Sequence, residues 1–570
     1  MVQMAVADAG NASFSYKSLD GLADACIYFY HESLEKRVGS VDVCERRSEL
    51  SKYIRKFHSE CGTFTSSVKE AVGKLEDGSC LLLMTAHQPN LFAYSGVLRK
   101  ATLNRVLAER LSERLGLPVV SFFGVADHDF TDDRWVKSAV LPDVERRGGV
   151  FALRVDLPPR IMLSKSPKLS RRALDDLHCK LSAWLNRQVS SLDRLCKSLR
   201  VECDPKSFGL ARNLEGFWGL VEDAYARADT YSDFNAFVMS KIVNDVWGYD
   251  TVFARFSEFQ RIFEKGFCFL LSHFDDYSRY VKEATLSLSG VGGGVYGQEY
   301  LTVPFWYHCD CGSKARLMAE FEGGSFVGRG SCVGCGREYS IGFGPREEPE
   351  ISGLLPKIST RSLSMPLVFF GGLGVCCYVG GIGGQEYLWE AKHVAEGLGM
   401  SFPPVVVWRP LDVYIGVGQL DALMRFRMFS GTFDRAQYAA VVAELRKKID
   451  KYGREIKWLA RTQKNVADDA GLGKEEKVEK IKAISIRQTK IRKETGFPLL
   501  VRDLKVLGNV ESVLKLFPCI VDFAVNVGLK ATSEQWIKSL KDYGDLSMDV
   551  RLRTDLEVIV QQVEPGFQLQ

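Results

Sequence analysis

Two strand-length apolar runs separated by an amphipathic helix constrain this chain more than any other feature. Cys80 to Thr85 (CLLLMT) is followed by a polar break, His87-Gln88-Pro89-Asn90. A helical pattern then runs from about Gly96 to Leu115, with Leu103, Val106, Leu107, Leu111 and Leu115 on one face, and stops at Gly116 and Pro118. A second apolar run, Val119 to Val125, leads into Asp127-His128-Asp129. Strand, helix and strand within about 45 residues predict a βαβ unit, whose strands are parallel neighbours joined by a right-handed crossover.

Parallel strands end on the same edge of a sheet, and ligands of open α/β sheets bind at the carboxyl ends. His87 and the Asp127-His128-Asp129 cluster are therefore expected to share one edge. Asp and His together suit acid-base chemistry or a divalent cation near phosphates. A second unit follows later, with Pro366 to Phe370 and Val375 to Val379 read as strands. The latter runs into Gly380-Gly381-Ile382-Gly383-Gly384, a helix from Gln385 to about Leu398 and a further run, Val405 to Trp408. Glycines ahead of a helix N-terminus let backbone N–H groups approach a phosphate or carboxylate closely. The spacing is not G-x-G-x-x-G, because Glu386 stands where the third glycine would be, and it is not a P-loop.

Of 15 cysteines, eleven are scattered through stretches of ordinary helix or strand, where reduced thiols act as small hydrophobes. The other four form two knuckles, Cys309-Asp310-Cys311-Gly312 and Cys332-Val333-Gly334-Cys335-Gly336. That spacing predicts a zinc ribbon in which four thiolates hold a structural Zn²⁺ tetrahedrally, with His308 an alternative ligand.

With 570 residues, 46% hydrophobic and 26% charged, the chain has an ordinary globular composition, which excludes collagen-like and disordered classes. Met1 to Lys17 carries no signal-peptide or anchor pattern, and no apolar run is long enough to span a bilayer, so a cytoplasmic protein without a membrane partner is expected. The formal net charge of +4 is uneven: Glu444 to Lys505 holds 18 Lys/Arg against 10 Asp/Glu, or +8, leaving about −4 for the remainder. In that segment Val442, Leu445, Ile449, Tyr452, Ile456 and Leu459 make a heptad seam, and Val478, Ile481, Ile484 and Ile491 form a looser stripe after the break at Ala470 to Gly473. An antiparallel helical hairpin is predicted. Its basic excess is either a solvated face or a phosphate-backbone contact surface.

With these residues in view, the chain resembles the BshC family, assigned as cysteine-adding ligases of bacillithiol biosynthesis. The matching stretches are T-A-H-Q-P-N-L-F with the helix containing Gly96 and Lys100, L-P-V-V-S-F-F-G-V-A-D-H-D-F, P-K-I-S-T-R at 356–361, and Y-V-G-G-I-G-G-Q-E-Y at 378–387, followed by the late hairpin. They fall in the family's order and cover most of the chain outside the cysteine segment. The resemblance implies an α/β fold: a Rossmann-like parallel-sheet core related to class I nucleotidyltransferases and a C-terminal helical coiled-coil hairpin that can support a homodimer; the zinc-ribbon insertion read from the cysteines is additional to the family's usual pattern. The implied domains are 1–75, a helical segment packing on the core; 76–300 and 346–416, the two parts of the core; 301–345, the zinc ribbon; 417–518, the hairpin; and 519–570, returning to the core. The implied reaction condenses the carboxyl of cysteine with the amine of an amino-sugar conjugate, glucosaminyl-malate, driven by ATP or another nucleotide with Mg²⁺.

This chain departs from the family at the pocket. Ala86-His87-Gln88 stands for the usual G-Q-Q, Ser95-Gly96-Val97-Leu98 for G-P-L-Y shifted by a residue, and Gly381-Ile382-Gly383-Gly384 for G-P-G-E, leaving Glu386 as the nearest acid. The residues assigned to the reacting centre are His87, Asp127, His128 and Asp129, with His128 or His87 the base that deprotonates the amine. Gln88, Gly96, Lys100, Arg361, Gly380, Gly381, Gly383 and Glu386 are assigned to substrate and nucleotide binding, and Cys309, Cys311, Cys332 and Cys335 to zinc. Two other readings stay open: another amino-acid ligase or nucleotidyltransferase on the same scaffold, and an RNA- or tRNA-binding protein using the zinc ribbon and basic helical arm.

Overall fold

A computed structural model of the chain describes residues 14–289, 299–408, 411–565 and 567. Most of the N-terminal segment read for a signal peptide, and the stretch just before the expected boundary at 300, lie outside these residues.

Five parallel strands form the central sheet: β1 (Leu81–His87), β2 (Val119–Val125), β3 (Val252–Arg255), β9 (Val375–Gly380) and β10 (Val405–Val407). Five antiparallel strands form a second sheet: β4 (Phe305–His308), β5 (Lys314–Glu322), β6 (Ser325–Cys332), β7 (Glu338–Pro345) and β8 (Ile358–Thr360). The central order is β10-β9-β1-β2-β3, so the chain moves outward from β1 in one direction and later in the other. The reversal opens a crevice between the carboxyl ends of β1 and β9, the usual place for a ligand in such sheets.

Why β1 becomes a strand is visible in its burial. All but its last residue are buried, with Leu81 and Leu83 packing into one core and Leu82 and Met84 into the other. A strand covered on both faces reads as a continuous apolar run because neither face meets water. The helix Ser95–Leu115 crosses one face and contacts both β1 and β2, and it ends at Gly116, whose φ of +67° is a left-handed cap that a side chain would strain. The N-terminal helices Leu19–Phe29 and Val41–Cys61 flank the sheet. From the second of these the buried Arg47 guanidinium donates to the carbonyls of Leu373 (2.9 Å), Gly374 (3.2 Å), Gly78 (3.1 Å) and Cys80 (2.8 Å), stapling together the segments that lead into β9 and β1.

The stretch Pro366 to Phe370, read as a strand, is instead part of the helix Ser364–Leu373. It is buried almost throughout, so its apolar run has no polar face to reveal a 3.6 period, and the left-handed Gly374 then ends the helix. The segment Val375–Gly380, the helix Gln385–Gly397 and the strand Val405–Val407 do follow the expected pattern.

The antiparallel sheet, ordered β8-β4-β5-β6-β7, carries the four cysteines at one end. Phe305, Ala315, Leu317, Phe326 and Phe343 from it share a hydrophobic core with Phe256, Phe259 and Met84 of the central unit. This sheet is thus fused to the body rather than suspended from it.

Beyond β10, the helices Arg435–Asp468 and Lys474–Glu494 lie against each other across a turn, and Phe497–Leu514 packs at their base. Leu445 joins Ala422, Phe426, Val506, Leu507 and Val510 in a separate small core there. The chain returns through Ile520–Asn526 and Leu529–Tyr543, which enter the first core through Ile520, Phe523 and Trp536. Among the described residues no helix is long and apolar enough to cross a membrane.

Candidate active site

The crevice is built from the ends of three strands. β1 ends at His87 and continues into Gln88, and β2 continues into Asp127, His128 and Asp129. β9 ends at Gly380 and runs through the turn Ile382–Gly384 into the helix Gln385–Gly397. Gln88 Nε2 donates to Asp129 Oδ2 at 2.9 Å, and His128 Nε2 lies 3.6 Å from Asp129 Oδ1. The His87 Nδ1 is 3.0 Å from the Gln88 carbonyl oxygen.

Lys100 rises from the helix Ser95–Leu115 into the same place. Its Nζ donates to the Ala86 carbonyl at 3.1 Å, and a β-carbon on Gly381 would stand 3.3 Å from it. Burial pulls the Lys100 ammonium down to about 7. His87 is held neutral, down to about 3, by burial first and by Lys100 second, against the opposing pull of the Gln88 carbonyl and Asp129. Burial likewise takes His128 down to about 4, with Lys314 adding and Asp129 opposing. Both rings are therefore neutral near pH 7, each with one ring nitrogen able to accept a proton. The His128 ring stacks on Phe256 with centroids 5.5 Å apart, and its Nδ1 has no hydrogen-bond partner among the described residues.

Asp127 is placed differently. Its carboxylate accepts from the backbone N–H of Ser257 at 2.8 Å and from the Ser257 hydroxyl, turning it toward the short helix Phe256–Phe259. Burial raises this carboxyl to about 7 while the Ser257 bonds oppose the rise. Gly380 is a packing position, since a β-carbon there would meet Leu388 at 3.1 Å. Gly383 faces open space, and Glu386 opens the helix that follows. Gly96 is the second residue of its own helix, beside the Tyr94 ring.

Tyr387, Lys314, Phe130 and Trp306 are given no role by the sequence reading. Tyr387 folds back on the glycine turn, its hydroxyl 2.8 Å from where a Gly384 β-carbon would be, and burial first, then Tyr378 and Asp129, raise its phenol well above the usual range. Lys314, at the start of β5, sends its Nζ to the His128 carbonyl at 2.8 Å. That ammonium stands 4.3 Å from the Phe130 ring centroid and 5.1 Å from Trp306, and the guanidinium of Arg361 lies 4.2 Å over the same Trp306 ring. His308 is half-buried beside this group, and desolvation first, then Lys314 and His128, hold it neutral, down to about 3.

The Sγ atoms of Cys309, Cys311, Cys332 and Cys335 all lie within 4.8 Å of one another, with 3.6 Å separating Cys309 from Cys335 and Cys311 from Cys332. Four sulfurs about 2.3 Å from a tetrahedral ion would be roughly 3.8 Å apart, so the donor set fits a thiolate-bound metal of the zinc kind. His308, kept open above as a ligand, is not among the four and faces the crevice instead. The knuckle also touches the site's loop: the Gly312 carbonyl accepts from Met162 N at 2.9 Å, and the next two amides, Leu163 and Ser164, donate to the Asp129 and Asp127 carbonyls at 2.8 Å each.

Taken together, fold and site define an α/β protein with a crevice at a sheet switch point, lined by neutral bases, one carboxylate and several cations. No protein-family profile matches the chain. It is 22% identical over 379 residues to a protein of Oceanobacillus iheyensis provisionally named cysteine ligase BshC, an alignment that spans 63% of this chain and 61% of the relative. That is a distant BshC-like relationship reaching less than two thirds of the relative's length. A crystal structure provisionally named arginyl-tRNA synthetase, from Campylobacter jejuni, aligns over 88% of this chain and 99% of that one at 10% identity and a TM-score of 0.20, too low to bear on the fold.

Proposed function

We propose that this chain is a nucleotide-driven ligase of the BshC type, joining the carboxyl of cysteine to the amine of an amino-sugar conjugate such as glucosaminyl-malate. The observation that carries the reading is Lys100, whose buried Nζ sits between the end of β1 at Ala86 and the start of the glycine turn at Gly381. A cation at a parallel-sheet switch point, beside a glycine turn and a helix N-terminus, suits the phosphates of a nucleotide. The strand order, read outward from β1, supports reading this sheet as a Rossmann-like core.

Amide formation needs a carboxylate made electrophilic by phosphoryl or adenylyl transfer, and an amine that has lost its proton. Lys100 and the turn Gly381–Gly384 would hold the phosphates, and Asp129, fixed by Gln88, would be the carboxylate for an accompanying Mg²⁺. His128 or His87, already neutral, accepts the proton of the attacking amine on its free ring nitrogen. The four cysteines would hold a structural Zn²⁺, whose part there would be to stabilise the sheet rather than to do chemistry.

The test is mass spectrometry of the metal-loaded protein with ATP, Mg²⁺, cysteine and glucosaminyl-malate. The condensed thiol with matched nucleotide loss is expected. Nucleotide loss only with another amino acid or amine would replace this reading by a different ligase on the same scaffold.

A further inference from the structure

The helix Arg435–Asp468 turns its heptad seam inward: Leu445 and Leu459 are buried, and Ile449, Tyr452 and Ile456 are half-buried between them. The opposite face carries a second line with the same alternation of four and three residues, Lys447, Lys451, Arg454, Trp458 and Arg461, all of them exposed. At 1.5 Å per residue the line runs for about 21 Å. Among the described residues none of its four cations makes an ion pair, and the acids of the helix fall to either side of it. Glu444 pairs with Lys448, and Glu455 with Arg487 of the neighbouring helix. Other exposed cations on helices of this chain do meet an acid four residues away, as in Lys180–Asp176, Lys197–Asp193 and Lys515–Glu511, which is the ordinary solvated pattern. Trp458 is 62% exposed in the middle of the line, whereas the other eight tryptophans are buried or half-buried. A large indole left in water among unpaired cations marks a contact surface rather than a solvated face.

We propose that this line is a docking surface for RNA, with Lys447, Lys451, Arg454 and Arg461 on its phosphates and the Trp458 indole stacked on an unpaired base. The surface does not depend on the ligase reading above. Four aligned cations call for a partner with repeating negative charge, which a phosphate backbone supplies. A second copy docked through the same line across a two-fold axis would set cations against cations. A lipid surface calls for an apolar face, and the line has one apolar side chain. The indole then selects among nucleic acids, because it stacks on any base that is free of its own stack. Folded RNA offers such bases in loops and at ends, and duplex DNA keeps them stacked.

Fluorescence anisotropy of a labelled RNA stem-loop, titrated with the full-length, metal-loaded protein, tests this, with a perfect RNA duplex and a DNA duplex alongside. The stem-loop is expected to bind, its log affinity falling against log salt with a slope of about −3, or about 0.7 for each of the four cations. That is a loss of roughly 50-fold between about 50 and 200 mM salt. Lys451→Gln and Arg454→Gln should each flatten the slope by about 0.7. Trp458→Ala should weaken binding about tenfold or more at an unchanged slope, and Trp458→Phe should restore most of it. Lys480→Gln, which removes an exposed ammonium already paired with Glu476 on the other helix, should change nothing. All these side chains are exposed, and circular dichroism confirms that each variant keeps the fold. A wild type that binds no RNA at about 50 mM salt, a duplex bound as tightly as the stem-loop, or binding indifferent to Trp458→Ala would each overturn the proposal. Sedimentation without RNA completes the test: a dimer that Trp458→Ala dissociates would assign the line to a second copy of the chain and overturn it as well.

Discussion

Gln88 Nε2 reaches across from the end of β1 to Asp129 Oδ2, 2.9 Å away at the end of β2. This bond fixes the one carboxylate that meets His128 and leaves its other oxygen toward the crevice. Asp129→Asn is expected to lower turnover at least about 100-fold with the fold intact, and Gln88→Ala about tenfold through loss of orientation alone. Steady-state kinetics beside a thermal melt checks both.

Gly381 has an ordinary φ of −113°, so alanine there costs no backbone strain. The added methyl would instead press on Lys100 Nζ at 3.3 Å. Gly381→Ala should raise the nucleotide KM about tenfold or more while shifting stability by less than about 1 kcal/mol. A variant that melts normally and binds nucleotide normally would remove Lys100 and the turn from the phosphate site.

Metal analysis should find about one zinc per chain, lost in Cys332→Ser. The knuckle reaches the site through Gly312 and Met162, and β5 reaches it through Lys314 and the His128 carbonyl. Chelation is therefore expected to lower the melting temperature and abolish ligand binding together, with both returning when zinc is restored.

His58 titrates for stability rather than chemistry. Its Nε2 accepts from the Phe253 N–H at 2.9 Å, which places the proton on Nδ1, 2.8 Å from Thr63 Oγ1. Burial takes it from 6.5 to about 3 in the fold. Between those values the unfolded chain binds a proton that the folded one does not, so stability falls as the pH drops from about 6.5 toward 3. His87 and His128 act in the same direction; Asp127, protonated in the fold up to about 7, acts against them. His58→Gln should flatten the acid limb by about 1.4 kcal/mol per pH unit, measured by urea unfolding from pH 6.5 to 4.

Arg47 makes a sharper stability test. Arg47→Met would strand four buried carbonyls at the roots of β1 and β9 and is expected to cost on the order of 3 kcal/mol or more. Denaturant unfolding of the two proteins measures it.

The sequence made β1, β2 and the glycine turn legible because each is local: an apolar run, a break, a polar cluster. The helix Ser364–Leu373 was not, since burial on every side erases the period that separates helix from strand. Val252–Arg255 is four residues long and is a strand only because β2 lies beside it. The cysteine knuckles announced a metal, but nothing near Cys311 marks Lys314 as part of the crevice; that depends on how the two sheets meet. Tyr387 is likewise one aromatic in a helix until its hydroxyl is seen folded over Gly384.

Carboxylate activation at this crevice is most directly measured with cysteine carrying ¹⁸O in its carboxyl group, incubated with ATP, Mg²⁺ and glucosaminyl-malate. Transfer of one label into phosphate or AMP, lost in both Lys100→Met and Asp129→Asn, is the predicted result, and the labelled product reports which phosphoryl bond is used. Label that never leaves the carboxyl, or that transfers equally in those variants, would contradict a nucleotide-driven ligase working at the ends of β1, β2 and β9.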